Sequence, residues 1–385
     1  MLYPLRCCFT LALPLLLTCS LPSDTPVDTP AAASPRLIAD QTAYYPRLLR
    51  LTHQSGGNGD LLLSFDSDHN RGALFRSADD GRIWTPLSTV GDTTANWHCC
   101  SGLWEVPQPL GDVAAGTLFW APSMGCPGNP RCAARLAVHR STDGGRTWQP
   151  HSTLATGSVG LWEPEFIVDK QGRLVAFYST EEHRDSGFNQ LLAHKISTDG
   201  GRTWGPEVRD VALPDVPTST GITRMRPGMA IVRCLPDGRY AMLYEICGLG
   251  CAVYLRFSDN GTDWGDPAAT GTRLVSEQGH HFAHAPSFTV LPDGRLVAVG
   301  QLLMNARNEL AAANGTRLLI SQPGGTGPWR EIEAPVPVPD AVDNPCPNYS
   351  SQFLPARDGR SLIEVALRRG NAGCRAYANV RPIEN

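Results

Sequence analysis

The chain of 385 residues has little charge and no surplus of the positive sign: 18% of residues are charged, and 33 Lys and Arg against 37 Asp and Glu give a formal net charge of −4. The electrostatic footprint of a nucleic-acid binder is missing. No long stretch carries a helical period, so helix is expected to be minor. Apart from Phe9 to Leu17 there is no long apolar run, and that one is too short to span a bilayer. No internal linker interrupts the chain. The Gly-Arg pairs at Gly172, Gly238 and Gly294 lack the strand-to-helix setting in which a glycine loop cradles phosphate, so no nucleotide or other cofactor is expected. Zinc spacing is also lacking: Cys247-x3-Cys251 has no second ligand pair, and of His280, His281 and His284 two are consecutive and face opposite ways on a strand. No metal is expected.

What is abundant is turn-forming residues, Gly 38 and Pro 32, in a chain that is still 42% hydrophobic. Residues 1–19, with Arg6 before the apolar Phe9–Leu17 segment, read as a signal peptide. Residues 20–35, rich in Pro, Ser, Thr and Ala, read as a spacer. In a bacterial setting Leu16-Leu17-Thr18-Cys19 would offer a lipid-anchor site at Cys19. The expected location is outside the cell, where disulfides form. Of the 12 cysteines, those beyond the leader are odd in number. Cys126 with Cys132 and Cys247 with Cys251 are the cheapest pairs, whereas adjacent Cys99 and Cys100 are expected to pair with distant partners. Sequons stand at Asn260, Asn314 and Asn348.

Internal repeats carry the most information. The pattern S-x-D-x-G-x-x-W occurs at Ser77-Asp79-Gly81-Trp84, Ser141-Asp143-Gly145-Trp148 and Ser197-Asp199-Gly201-Trp204. A fourth copy is expected at Asp259-Gly261-Trp264 with Phe257 at the Ser position, and a degenerate fifth from Ser321 to Trp329. Asp and Gly suit a tight turn and Trp packs it onto the strands. Independently, a Gly followed by an apolar strand recurs at Gly59, Gly116, Gly172, Gly238, Gly294 and Gly359, about every sixty residues. Repeats of four short strands predict an all-β, six-bladed β-propeller over residues 36–385.

The staples resemble the Asp-box (BNR) repeats of sialidases and related glycosidases. In such a ring the residues before each repeat Gly, and about seven after it, face the ligand side. They include Arg47, Glu105, Glu163 with Glu165, Arg226, His284 and Tyr349, then Asp66, Ser179, Glu245 and Gln301. Glycoside cleavage needs an acid and a second carboxylate, and Glu163 and Glu245, on neighbouring blades, make the natural pair. Glu165, two residues from Glu163, is expected on the same strand face and is an alternative acid.

The segments Gly160-Leu161-Trp162-Glu163-Pro164, Phe177 to Glu181, Pro227-Gly228-Met229, Tyr244-Glu245 and Asn348-Tyr349-Ser350 resemble the exo-1,5-α-L-arabinanases of glycoside hydrolase family 93. That resemblance implies Glu163 as general acid/base, Glu245 as nucleophile and Tyr349 close to both. Arg47, Asp66, Glu105, Glu165, Arg226 and His284 are then expected to bind substrate, a polysaccharide or oligosaccharide trimmed from its end by a monomeric enzyme. An exo-sialidase is the alternative, drawing on Arg47, Arg256, Arg307, Asp66 or Asp68, Tyr349 and Glu245, although Tyr45-Pro46-Arg47 stands where Arg-Ile-Pro is usual. Another glycosidase or lyase and a non-catalytic glycan-binding propeller remain open.

Overall fold

The Asp boxes close the way their residue types require. In the second, Ser141 Oγ accepts from Gly145 N (2.9 Å) and donates to Asp143 Oδ1 (2.7 Å), which also takes Thr147 N (2.9 Å), while Trp148 Nε1 returns to Gly145 O (3.1 Å). Burial raises the Asp143 carboxyl, but bonds from Thr147, Ser141 and Arg146 outweigh it and hold the pKa at about 2. Asp143→Ala is expected to cost about 1–2 kcal/mol, read from the urea midpoint. Because the folded pKa is depressed, the titrating part of that difference is present above pH ~4 and fades as pH falls toward 2. The fourth box differs from the sequence reading. Ser258, not Phe257, takes Gly261 N (2.9 Å), and Asn260, not Asp259, accepts Thr262 N (2.9 Å) and Asp263 N (2.8 Å). This turn is one residue shorter between Ser and Gly, with Asn as the acceptor.

The computed structural model describes residues 34–54, 56–67, 71–92, 95, 97–125, 134–371 and 373–383. The leader, most of the spacer, Cys19, Asp68 and the Cys126–Cys132 pair lie outside them. Six antiparallel sheets form the blades in chain order, and a small two-stranded sheet, Val216–Thr218 with Gly221–Thr223, lies between blades three and four in the chain. Blade one is Tyr44–Arg50, Leu61–Ser67, Arg71–Ser77 and Thr85–Val90; blade two runs from Trp97–Glu105 to Gln149–Gly157; blade three from Leu161–Val168 to Val208–Val211. Blade four starts at Arg226–Cys234 and continues through Tyr240–Cys247 and Ala252–Ser258; blade five runs from Ser287–Val290 to Arg330–Glu333. Blade six is Gln352–Pro355, Ser361–Gly370 and Gly373–Pro382, with Arg36–Leu37 from the beginning of the domain as its outer strand. The first strands contact one another in sequence and the last touches the first, closing a six-bladed β-propeller. One short 3-10 turn, Arg184–Ser186, is the helical content among the described residues. Apolar side chains pack between neighbouring blades: Leu62 and Leu74 of blade one meet Leu118 and Trp120 of blade two.

Two features of the ring position the site. Each inner strand is kinked near its start, or in blades five and six just before it, by a residue with positive φ: Tyr45 (50°), Cys100 (59°), Glu163 (59°), Met229 (56°), Ala285 (45°) and Ser350 (55°). In blades one to four the kink is a bulge that breaks the register with the second strand. A polar residue on the second strand, or in blade five just beyond it, then clasps the kinked segment of the next blade. Asp66 Oδ2 takes Cys100 N (2.6 Å), Ser123 Oγ donates to Leu161 O, and Ser179 Oγ takes Met229 N (3.3 Å). Glu245 Oε2 takes Ala285 N (2.7 Å), and Gln301 Nε2 donates to Pro347 O (3.0 Å). Arg47 Nη1 donates to Ser350 Oγ (2.8 Å) between blades six and one. The clasps satisfy backbone groups that the kinks remove from the ladder.

Three disulfides stand among the described residues: Cys99–Cys100, Cys247–Cys251 and Cys346–Cys374. Cys99 and Cys100 thus pair with each other rather than with distant partners, because the bulge at Cys100 brings both sulfurs to one side. Cys234 is free and exposed. All three sequon amides serve the fold. Asn260 builds its turn, Asn314 bonds Leu303 N (2.9 Å) and Ala341 O (2.8 Å), and buried Asn348 donates to Gln301 O (2.8 Å).

Candidate active site

The kink at Glu163 turns its carboxyl to the rim of the ring. Oε2 accepts from Ser179 Oγ (2.7 Å) of its own blade and from Met229 N (3.0 Å) of the next. Burial raises its pKa; the two hydrogen bonds and the fields of Arg226 and Arg47 work the other way. Glu245 ends the apolar run Tyr240–Tyr244 and is 9% exposed. Burial, then the charge of Glu163, push it up to about 8, against the single bond from Ala285 N. The charge of Glu163 thus adds to burial in keeping a proton on Glu245 near neutral pH. Among the described residues no arginine or lysine forms an ion pair with either. His284 Nδ1 stands 4.0 Å from Glu245 Oε2, and its Nε2 lies 3.5 Å from Asp343 Oδ2.

Tyr349 lies in the turn before the inner strand of blade six, not on that strand. Its hydroxyl is 3.6 Å from Met229 Sδ, and its ring is 6.3 Å from that of Tyr45. Burial, then the charges of Glu245 and Glu163, push the phenol far above its ordinary range, so it stays neutral. Tyr45, Met229 and Ala285, with Cys100 and Tyr349 against them, form an apolar cluster made of the kinks themselves. Arg226 reaches the same rim, its Nη1 donating to Glu181 Oε1 (2.7 Å), which also takes Trp162 Nε1 (3.2 Å).

The structure therefore brings Glu163, Glu245, Tyr349, Arg226 and His284 together, and places other expected site residues elsewhere. Arg47 is buried, with Nη1 committed to Ser350 Oγ and Pro46 O, both at 2.8 Å, and its guanidinium over the Tyr45 ring. Asp66 is a clasp, both oxygens engaged by Cys100 N and Ser101 Oγ. Glu105 lies at the far end of its strand and is occupied by Thr52 N (2.7 Å), His53 N (3.1 Å) and Gln54 Nε2 (3.0 Å). Glu165 pairs with Arg233. Glu105 and Glu165 both line a separate cavity of about 580 Å³ that contains neither Glu163 nor Glu245. The period-2 rule that set Glu163 and Glu165 on one face fails because the bulge between Trp162 and Glu165 intervenes.

The arginines drafted for a carboxylated sugar do not assemble. Arg256 donates to the carbonyls of Asp210 (2.8 Å), Trp264 (3.2 Å), Asp266 (3.0 Å) and Ala269, and Arg307, 79% exposed, pairs with Glu309. The histidines also part company, since His280 Nδ1 meets Glu331 Oε1 (2.7 Å) while His284 faces Glu245. Cys247 and Cys251 lie beside His284 but are bonded to each other. Sequence reasoning missed Tyr45, Glu181 and Asp343. Tyr45 had a signal in its unusual place before Pro46-Arg47, and Glu181 in the Phe177–Glu181 segment; Asp343 had none.

Comparison with known proteins agrees with the six-bladed fold. The profile of a family described as BNR repeat-like domain matches residues 53–246. A sialidase from Micromonospora viridifaciens is 24% identical over 323 residues, 77% of this chain and 46% of that protein, so the chain spans about half the length of that relative. The structure of an alpha-L-arabinanase from Penicillium chrysogenum, complexed with arabinobiose, matches with a TM-score of 0.72 at 25% identity, over 92% of this chain and 99% of that one. A GH93 alpha-L-arabinofuranosidase of Fusarium graminearum, also with arabinobiose, gives 0.71 at 22% identity, over 91% and 98%; this likeness is one of fold.

Proposed function

This chain belongs to the BNR repeat-like domain family, and from that premise we propose that it is a glycoside hydrolase, exported from the cell, that trims α-1,5-L-arabinan or a related neutral glycan from its end with retention of configuration. The observation that supports the reading is the carboxyl pair. Glu163 and Glu245 come from adjacent blades, both are driven toward the protonated form by burial, and among the described residues neither forms an ion pair with an arginine or lysine. A sealed fold has no reason to keep such a pair. One carboxyl to protonate the leaving oxygen and one carboxylate to attack the anomeric carbon are what the retaining reaction demands.

In this proposal Glu163 is the acid/base and Glu245 the nucleophile, as the family resemblance implies. Burial holds a proton on Glu245, so the assignment requires a proton to leave Glu245 and Glu163 to carry one when substrate binds. Tyr349, neutral and against Met229, walls the reacting sugar, and Arg226 with Glu181 orders the rim. His284 stands within reach of Glu245 to contact sugar hydroxyls. The arginine positions described above speak for an uncharged substrate over a sialoside, and the alpha-L-arabinanase likeness at 25% identity points the same way. The test is product analysis on linear α-1,5-arabinan and on sialyllactose. Arabinobiose as the early product is expected; sialic acid release would replace the reading with the sialidase one, and silence on both substrates would favour another glycan or a binding-only propeller.

A further inference from the structure

Strands Tyr240–Cys247 and Ala252–Ser258 of blade four are joined by the turn Cys247-Gly248-Leu249-Gly250-Cys251, in which Gly248 and Gly250 take positive φ (98° and 73°). The ladder runs up to Ile246 opposite Ala252, so the hairpin itself keeps the two cysteines together, and their disulfide adds to a closeness the backbone already imposes. His284 is fastened to the same turn, its N donating to Cys251 O at 3.0 Å. Both cysteines and His284 are partly exposed, so solvent reaches them.

Four donor groups meet there. Cys247 Sγ, Cys251 Sγ and a ring nitrogen of His284 all lie within 4.8 Å of one another. Cys247 Sγ is 4.0 Å from His284 Nδ1 and 3.7 Å from Glu245 Oε1, the oxygen that the bond from Ala285 N leaves open, and His284 Nδ1 is 4.0 Å from Glu245 Oε2. Zinc bound to two thiolates, an imidazole and a carboxylate at about 2.0–2.3 Å makes tetrahedral edges of about 3.3–3.8 Å. Small side-chain rotations bring the group to those edges once the sulfurs part. An outer shell is also in place: Asp343 Oδ2 stands 3.5 Å from His284 Nε2, where a carboxylate orients a metal-bound imidazole. The three-residue spacing of Cys247 and Cys251 is a usual one for half a zinc site. The second half, which the sequence does not show, is supplied by the fold as His284 and Glu245.

We infer that Cys247, Cys251, His284 and Glu245 form a redox-gated site for a thiophilic divalent cation, zinc, closed while the disulfide stands and opened when a dithiol reductant cleaves it. In that exchange the Cys247–Cys251 bond takes up two electrons and two protons and breaks, and the reductant closes into its own disulfide. Zinc then displaces the two thiol protons. The site does not depend on the proposed hydrolase activity. Its consequence does rest on that reading, because a cation on Glu245 occupies the open oxygen of the proposed nucleophile.

The probe is zinc ion, added to the folded full-length protein after reduction by dithiothreitol and removal of the reductant without oxygen, with the opened cysteines mapped by alkylation and mass spectrometry. Reduced wild type should bind one zinc more than the oxidised protein and one more than reduced Cys251→Ser. Cobalt in its place should show the absorption of tetrahedral thiolate ligation. Asp343→Ala, at a side chain 71% exposed and with the disulfide left intact, should weaken zinc by roughly ten- to hundredfold, and His284→Ala should weaken it further. Zinc should stop arabinan cleavage by the reduced protein, a chelator should restore it, and the oxidised protein should be indifferent. Equal zinc uptake by reduced wild type and Cys251→Ser would overturn the inference, and so would a disulfide that opens only when circular dichroism shows the fold lost. Zinc uptake with cleavage undiminished would overturn the four-ligand site by removing Glu245 from it. If wild type fails on arabinan, the hydrolase reading fails by itself, and zinc stoichiometry with the cobalt spectrum still decides the site.

Discussion

Glu245→Gln should remove turnover, by about a thousandfold or more, and at the same time yield a protein that resists heat better than wild type at neutral and alkaline pH. Both effects have one origin. The Glu245 carboxyl is buried beside Glu163 and pushed up to about 8, whereas in the unfolded chain a glutamate titrates near ~4.3. Between those values the folded protein keeps a proton that the unfolded chain has released. Wild-type stability therefore falls as pH rises through that window and stays at the lower level above it. Glutamine does not titrate and can still accept from Ala285 N, so the advantage of the variant should be absent at low pH, grow up to about pH 8, and then level off. Melting curves at several pH values read the stability half, and product release from arabinan reads the other. Azide added to Glu245→Ala should restore cleavage and give a glycosyl azide of inverted configuration. The same product from Glu163→Ala instead would exchange the two roles. Activity within tenfold of wild type in Glu245→Gln would remove that residue from the chemistry.

The blade count was legible because the repeat is written twice, once in Asp boxes and once in strand-leading glycines. Gly59, Gly116, Gly172, Gly238, Gly294 and Gly359 all adopt positive φ, between 64° and 87°. The carboxyl pair was legible for a related reason: Glu245 interrupts the end of an apolar strand, where packing gives no cause for charge. The kinks were not legible. Tyr45, Cys100, Glu163, Met229, Ala285 and Ser350 share no residue type, since a bulge held by a hydrogen bond from the neighbouring blade does not need glycine. Once the strand bends there, alternation no longer predicts direction, which is why Glu165 left the site that Glu163 entered. The fourth Asp box hid behind a one-residue shortening. Glu105 was misplaced because distance before the repeat glycine does not tell which end of the inner strand a side chain serves.

Asp66→Ala is expected to lower stability by about 2–4 kcal/mol, a fall of roughly 5 °C or more in melting temperature, and to depress kcat without a matching rise in KM. The carboxylate is buried, takes Cys100 N at 2.6 Å and Ser101 Oγ at 2.5 Å, and lies 3.6 Å from His98 Nε2. Burial raises its pKa, and His98 and Ser101 oppose that. Without it two buried donors lose their acceptor and the kink of blade two loses its clasp. Asp66→Asn, which can still accept one of the two bonds, should fall between. If Asp66 instead held sugar, the melting temperature would stay put and KM would rise, so the pair of readouts separates the alternatives. The comparison matters beyond Asp66, because Glu245 occupies the equivalent place in blade four and also clasps the next kink through Oε2. Its other oxygen takes no N–H or O–H bond among the described residues, whereas both oxygens of Asp66 are filled. In the proposed reading, chemistry at this ring needs no departure from the structural repeat: Glu245 is long enough to clasp with one oxygen and leave the second open, whereas Asp66 at the equivalent place has both oxygens engaged.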